Sequence, residues 1–502
     1  MDERIEIGLK IALALAALAG LWTGQRPRWS HFAHRLLWAV ALLGVAGYLN
    51  FGRGHGRTFA HYWEHFHYFL NSKYFAELRH DGLYVASVAA QREALPDRPL
   101  YPLLRDLRDN QIKSLDVVDE HLREVRGRFT NARWEQFVED NRFFVEANDL
   151  KYITQIRLDH GFNATPAWTF VARLFSGWLP AQPTVIYLLA WLDLVLLALL
   201  FDAIGQAYGR RALLLSLLIF GVGYAGRFFW IGGAFLRLDW LAALGVGICN
   251  LKRGRHGTAG ALMAYAAASR LFPVLFLFGL GSSALGAWRR GERPAWVRRF
   301  AAGFALAFAL CLAAGCLVGR GWTAWPEFAQ NIAKHHGTWL NNNVGLKNLV
   351  LYDRSTIDGT RIDRTATEPW TRWQQHLDER AEDHQWIIRI IQLAGIALLF
   401  AAAWRAPPDQ AAILSMTAPF VLLLLTCYYW IMLLLAAMHA RRKGLTVALL
   451  FVNLAALIFH FAAPPLYELR YGFLSWMLAI FFAGWLLLDA AKPPEYRDRA
   501  DR

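Results

Sequence analysis

The sequence predicts an all-α, polytopic membrane protein, and three observations carry that prediction. Of 502 residues, 56% are hydrophobic and 18% charged, against about 45–50% and about 25% in ordinary globular chains. The apolar residues are gathered into blocks long enough to cross a bilayer. The short loops between those blocks are rich in arginine and lysine. With 22 Trp, 33 Phe and 17 Tyr, the chain cannot remain solvated, which excludes disorder.

Nine blocks are nearly free of charge: Ile5–Trp22, Leu36–Phe51, Val185–Phe201, Ala212–Tyr224, Ala234–Cys249, Ala301–Val318, Ile387–Trp404, Leu445–Phe461 and Phe473–Leu488. About 20 apolar residues cross the hydrocarbon, so these read as spans, the shorter ones tilted or snorkelling. Two further blocks, Thr258–Gly286 and Ala411–Met438, are long for one span and interrupted. Each reads as a pair of short broken helices, giving a bundle of eleven to thirteen membrane helices. Met1-Asp2-Glu3-Arg4 is mixed in charge and no small-residue cleavage site follows, so the first span is expected to be retained.

Lys plus Arg number 53 against 39 Asp plus Glu, a net charge of +14. The excess sits at Arg26, Arg28 and Arg35, at Arg210 and Arg211, at Lys252, Arg253 and Arg255, at Arg289, Arg290, Arg293, Arg298 and Arg299, at Arg405, and at Arg441, Arg442 and Lys443. Positive-inside bias assigns these loops to the cytoplasm. Each long block must then enter and leave on one side, with Pro273 and the Gly279–Gly281 stretch breaking the first and Cys427-Tyr428-Tyr429-Trp430 turning the second. The organisation that follows has two spans in 1–51, an external loop with amphipathic helices in 52–183, and a bundle with the first broken pair in 184–318. A second external loop in 319–384, C-terminal spans in 385–489 and a cytoplasmic tail in 490–502 complete it. The charge is a topology signal, so membrane lipids are expected around the chain and nucleic acid is not expected as a partner.

No cofactor or metal is called for. The four cysteines lie inside apolar blocks without ligand spacing. The glycines between Gly221 and Gly233 lack a surrounding βαβ pattern, and His61, Glu64, His65 and His67 lack the His-Glu-x-x-His order. Tyr62–Phe75 reads instead as an aromatic amphipathic helix at the interface. A transporter is expected to show internal repeats and mid-membrane charges; neither is visible. The ionisable residues collect at the external ends instead: Glu77 and Asp81, then Arg227, Arg237 and Asp239, then Arg270, and His335, His336 and Lys347. Such convergence suits a reaction between a lipid-linked substrate and a molecule outside the membrane.

Several segments resemble GT-C glycosyltransferases, in particular the bacterial polyprenyl-phosphate-mannose-dependent mannosyltransferases. Glu77-Leu-Arg-His-Asp81-Gly-Leu-Tyr84-Val-Ala-Ser-Val-Ala-Ala resembles their Asp…Tyr…Ala-Ala region. Gly161-Phe162-Asn163-Ala-Thr-Pro166-Ala-Trp168 resembles the Tyr-x-Pro-Pro element, and Ala267-Ala-Ser-Arg270-Leu-Phe-Pro273 the Lys/Arg-x-x-Pro element. Trp325-Pro-Glu-Phe…Asn343-Val-Gly-Leu-Lys347 resembles the Trp…Asn-x-Ser-Leu loop. Tyr428-Tyr429-Trp430 falls where the family often has a Ser-Pro-x-x-Trp turn. The likeness covers about Tyr62 to Met438. It departs in having Arg270 for the commoner Lys, Val344-Gly345 for Ser-Leu, and an extra leading span.

The resemblance implies a GT-C-like bundle, a polyprenyl-phosphate sugar donor of the mannose type, a lipid or glycan acceptor, and an inverted product at the external face of a bacterial plasma membrane. Asp81 is then the general base that takes the acceptor's proton; its ordinary alternative is a helix cap. Glu77 is the runner-up base, one helical turn back, and reads more readily as a partner of Lys73 or Arg79. Arg270 suits a departing phosphate, which a guanidinium binds bidentately; its alternative is a structural pair with Asp239. Arg237 has the same case, weakened by Asp239 beside it. Tyr84, His335, His336, Asn343 and Lys347 complete the candidate substrate-binding set. A flippase of lipid-linked saccharides, or a polysaccharide polymerase or ligase, are the rival functions.

Overall fold

The structure, a computed structural model, describes residues 2–56, 58–336, 338–357, 359–462 and 467–492. Seven helices among the described residues are long and apolar enough to cross a membrane: Glu3–Thr23, Pro183–Val222, Phe272–Arg289, Ala295–Gly315, Gln385–Ala403, Arg442–Ala462 and Arg470–Ala491. The chain is an all-α multi-pass membrane protein, as its composition requires. Helices satisfy every backbone group within one segment, which the bilayer core demands. Strand among the described residues is confined to two short antiparallel pairs, Leu103–Asp106 with Gln111–Ser114 and Asn343–Val344 with Leu425–Thr426.

Seven counts Pro183–Val222 once, yet the chain reverses inside it. Gly209 has φ 83° and ψ 168°, outside the helical region. A Cβ on Gly205 would lie 3.3 Å from the Leu213 side chain, whereas residues eight apart in a straight helix are about 12 Å apart. The two legs are the blocks separated in the sequence by Arg210 and Arg211. Ser30–Tyr48 packs between the first span and the second leg, where Gly44 and Gly221 bring two backbones together; a Cβ on Gly221 would meet Gly44 carbon at 2.8 Å. Such approach through small residues is the usual way apolar helices associate in lipid.

The basic turns meet at one end of the bundle. Arg253 donates to Gln206 Oε1 at 2.8 Å, Arg442 to the Tyr208 carbonyl at 3.2 Å, and Arg290 to the Trp404 carbonyl at 3.3 Å. Tyr208 donates to Asp409 at 3.0 Å and Gln410 to the Met438 carbonyl at 3.3 Å. The turns near 209, 253, 290, 405 and 440 therefore share a side, as positive-inside bias requires. Their opposite ends gather acids and bases: Arg227 joins Glu3 and Glu6 at 3.0 Å each, and His460 lies 3.2 Å from Glu3. Arg227 is thereby occupied in holding the first span.

Both broken pairs exist; the first breaks around Pro273 as expected but not at Gly279–Gly281, and the second turns before Cys427. In the first, His256–Arg270 stops at Leu271, whose φ is +53°, and Phe272–Phe276 forms a 3₁₀ turn containing Pro273. Gly279 and Gly281 lie inside the following helix, Leu277–Arg289. Gly279 serves packing instead, since a Cβ there would fall 2.2 Å from the Ala411 carbonyl. In the second pair, Pro408–Leu414 and Thr417–Leu422 end before the Leu425–Thr426 strand, and Cys427–Met438 runs on as a 3₁₀ helix. Cys427–Trp430 thus begins the return leg, and the turn precedes it.

Residues 52–183 build a cap over the end opposite the basic turns. Leu83–Ala94, Asp119–Gly127, Asn131–Glu146, Leu150–Arg157 and Pro166–Ser176 are its main helices. Thr165 caps the last through its hydroxyl, with Pro166 at the first position, where a missing N–H costs nothing. The stretch 62–75 is not the interfacial amphipathic helix expected. It is interrupted by a π turn at Phe66–Leu70, and Phe66, Phe69, Leu70, Tyr74 and Phe75 are fully buried. With aromatic residues on every face, the segment can only be satisfied inside the core.

Candidate active site

The end of the bundle away from the basic turns carries two constellations. The first lies at the helix ends. Asp193 accepts the backbone N–H groups of Arg237 and Leu238 at 3.0 Å each, fixing the entry to Asp239–Lys252. Arg237 is 7% exposed. Its Nη1 donates to the Tyr68 hydroxyl and its Nη2 to that of Tyr428, both at 2.8 Å, and both rings lie 5.0 Å from the guanidinium. Its Nε lies 3.4 Å from Glu64 Oε2, yet neither atom has a hydrogen-bond partner.

Arg270 approaches from the first broken pair. Its Nη2 donates to the Leu236 carbonyl at 3.3 Å and lies 3.9 Å from Asp239 Oδ1; its guanidinium sits 5.2 Å from the Trp168 ring. Asp239 Oδ2 accepts from Tyr265 at 2.6 Å, while Oδ1 has no hydrogen bond. Asp239 therefore faces Arg270 rather than its sequence neighbour Arg237, which Glu64 accompanies. Leu236 and Leu271, beside the two arginines, have φ of +49° and +53°, a costly conformation for a branched side chain. Four polar atoms (on Glu64, Arg237, Asp239 and Arg270) are buried without hydrogen bonds. Such atoms cost about 1–3 kcal/mol each unless a partner arrives.

The second constellation is a cavity of about 570 Å³ in the cap, lined by Arg79, His80, Asp81, Leu107, Arg108, Asp109, Glu327, Gln330, Asn331 and Lys334. Asp81 does not cap the helix that follows it; Gly82 takes that position without a side-chain bond. Arg128 grips both Asp81 oxygens at 3.0 Å, and His121 Nε2 lies 3.2 Å from Oδ2. Burial opposes ionisation at Asp81, but the bonds from His121 and Arg128 and the Arg128 charge overcome it. They hold the carboxyl well below its usual range. Its neighbour Glu77 pairs with Arg133 at 2.9 Å rather than with Lys73 or Arg79, because Lys73 is bound to Asp140 at 2.6 Å.

The remaining candidates are divided between these regions. Tyr84 is fully buried, its hydroxyl donating to His67 Nε2 at 2.7 Å and accepting the Gly161 N–H at 3.0 Å; it is a strut within the cap. His335 donates through Nε2 to the His160 carbonyl at 3.0 Å. The His336 side chain lies outside the described residues. Asn343 is buried in the strand pair with Thr426, and the Cys427 N–H donates to the Asn342 carbonyl at 2.9 Å, one residue from Tyr428. Lys347 is half-buried, and burial lowers its amine. His55 and His65 hold the carbonyls of Gly232 and Gly233. Among the described residues no three His, Cys, Asp or Glu side chains gather to hold a metal ion.

Glu64, Tyr68 and Arg128 join these constellations without having been among the candidate site residues of the sequence. Glu64 was visible as an acid in the first external segment, but only its histidine neighbours suggested a role. Nothing local signals that it meets Arg237, 173 residues away, since that contact depends on how 62–75 folds inward.

Buried imidazoles make the cap acid-sensitive. Burial pushes His80, His160 and His335 down to about 4 from an ordinary 6.5. The unfolded chain therefore binds more protons than the folded one between about pH 6.5 and 4, and stability falls as pH falls through that window. Unfolding temperature in detergent should decrease over this interval and be flat just above it. A Tm constant from pH 7 to 4 contradicts neutral burial of these rings.

Searches against family models, curated proteins and solved structures return no match.

Proposed function

We propose that the chain is a membrane glycosyltransferase that moves a sugar from a polyprenyl-phosphate donor to a lipid or glycan acceptor at the external face of the plasma membrane. The observation that carries this reading is the buried pairing of Glu64 with Arg237 beside Asp239 with Arg270, at helix ends opposite the basic turns. A lipid phosphate reaching this depth from the bilayer meets two guanidiniums, which bind and neutralise a leaving phosphate. A carboxylate beside them takes the acceptor proton as the acceptor oxygen bonds to the anomeric carbon and the carbon–phosphate oxygen bond breaks. Attack from the face opposite the leaving phosphate inverts that carbon.

The geometry favours Glu64 as the proton acceptor over Asp81, to which the sequence resemblance points. A carboxylate gripped on both oxygens by an arginine is a weak base. Glu64 Oε2 has no such grip and accepts no hydrogen bond. Tyr68 and Tyr428 hold Arg237 in register for phosphate, and the Asn343–Val344 strand fixes the segment that carries Tyr428.

The test is donor cleavage by the purified protein in lipid nanodiscs, with radiolabelled polyprenyl-phosphate mannose, glucose and galactose supplied in turn with a membrane lipid and glycan extract. One donor should yield free polyprenyl phosphate and labelled acceptor. If all three stay intact, the proposed class of reaction is wrong.

A further inference from the structure

The cap cavity has a charge pattern that the transfer reaction does not use. Six of its ten lining residues are charged: Arg79, Arg108 and Lys334 against Asp81, Asp109 and Glu327. Four of these six are already paired. Asp81 is held by Arg128, Arg108 binds Asp106 at 2.8 Å, Asp109 is bound by Lys113, and Glu327 by Arg320 at 2.5 Å. Arg79 and Lys334 remain. Among the described residues neither has a carboxylate within ion-pair distance, and Arg79 Nε is buried without a hydrogen bond. Lys334 Nζ reaches only the Leu107 carbonyl.

The backbone at Arg79 is also costly. Its φ is +50° and ψ −140°, and Asn71 Nδ2 locks the turn by donating to the Arg79 carbonyl at 2.6 Å. Strain of this kind in a residue with a Cβ costs on the order of 1–3 kcal/mol and persists where surrounding structure imposes it. Here it delivers a guanidinium to a cavity of about 570 Å³, within the range of small-molecule sites. Burial lowers the Lys334 amine despite Asp81, Asp106 and Asp109 nearby, so a further anion beside it relieves an existing cost. Gln330 and Asn331 supply neutral amides at the same wall, Asn331 held at 2.9 Å to Asn163 Oδ1.

We infer that this cavity binds an anionic group, a phosphate or carboxylate, between Arg79 and Lys334, with the amides of Gln330 and Asn331 reading the polar body that carries it. The site is separate from the Glu64–Arg237 constellation and holds whether or not sugar transfer is the reaction. The anion arrives on a soluble molecule or on a lipid headgroup.

Titration calorimetry on the full chain in phosphatidylcholine nanodiscs at fixed ionic strength tests this, with inorganic phosphate, glucuronate and neutral methyl glucoside as probes. Phosphate or glucuronate should bind saturably at a site that the cavity variants weaken, and methyl glucoside should not bind. Arg79→Gln and Lys334→Gln should each weaken binding about tenfold, the loss expected for one charge-assisted hydrogen bond; Arg142→Gln, at an exposed cap arginine paired with Glu146 and away from the cavity, should leave it unchanged. A parallel arm replaces part of the lipid with phosphatidylglycerol and counts retained lipid by native mass spectrometry. Retention lost in the two cavity variants assigns the anion to a headgroup. The inference fails if no probe and no lipid is bound, or if both variants bind as tightly as the unmodified chain.

Discussion

Glu64→Gln should lower the rate of sugar transfer about 10²–10⁴-fold, the usual contribution of a positioned base. Glutamine keeps the shape beside Arg237 but cannot accept a proton. The loss should therefore fall on kcat, while donor binding, which the proposal assigns to Arg237 and Arg270, stays near wild type. Single-turnover cleavage of the labelled donor, together with its equilibrium binding, separates the two. Asp81→Asn is the companion measurement. If Asp81→Asn abolishes turnover and Glu64→Gln retains it, the proton acceptor is Asp81, and Arg128 must release it during the cycle.

Arg237→Gln should be the most destabilising single change among the residues considered, by about 3–5 kcal/mol, as expected when one partner of a buried ion pair is removed. Three groups lose their partner at once: the Glu64 carboxylate and the Tyr68 and Tyr428 hydroxyls. Arg237→Lys should recover part of the loss, because a point charge replaces the planar fork but cannot reach both tyrosines. Adding Glu64→Gln to Arg237→Gln should also restore stability, since the uncompensated charge is then gone. Thermal unfolding in detergent reads all four proteins. If the double variant is no more stable than Arg237→Gln alone, Glu64 and Arg237 are not energetically coupled.

Membrane helices are legible in sequence because their code is local. Twenty apolar residues in a row cross a bilayer whatever their neighbours do, and the arginines flanking them mark one end. This is why Arg210 and Arg211 identified the reversal at Gly209, and why the turns bearing Arg253, Arg290 and Arg442 meet. The interruption of both long blocks was equally visible, since Pro273 removes a donor from a helix. Pro273 also placed the first break, which spans Leu271 to Phe276, but the positive φ of Leu271 within it is announced by no residue type.

The cap was harder to read because its code is not local. An aromatic stretch such as Tyr62–Phe75 fits an interface or a core equally well, and only the surrounding helices chose the core. Asp81 carried a recognisable motif, but whether its oxygens are free depends on Arg128 and His121, forty or more residues away.

By itself, the sequence determined that this is an all-α multi-pass membrane protein with its basic turns on one side and its acids, bases and aromatics on the other. Hydrophobicity and charge act through their sum along a segment, so counting suffices. Only the tertiary structure decided which acid meets which base: Glu64 with Arg237, Asp239 with Arg270, Asp81 with Arg128, and Arg79 and Lys334 with neither. Those pairings turn on contacts of 3–4 Å between distant segments, and a coulombic partner is defined by distance in space, which residue order does not contain.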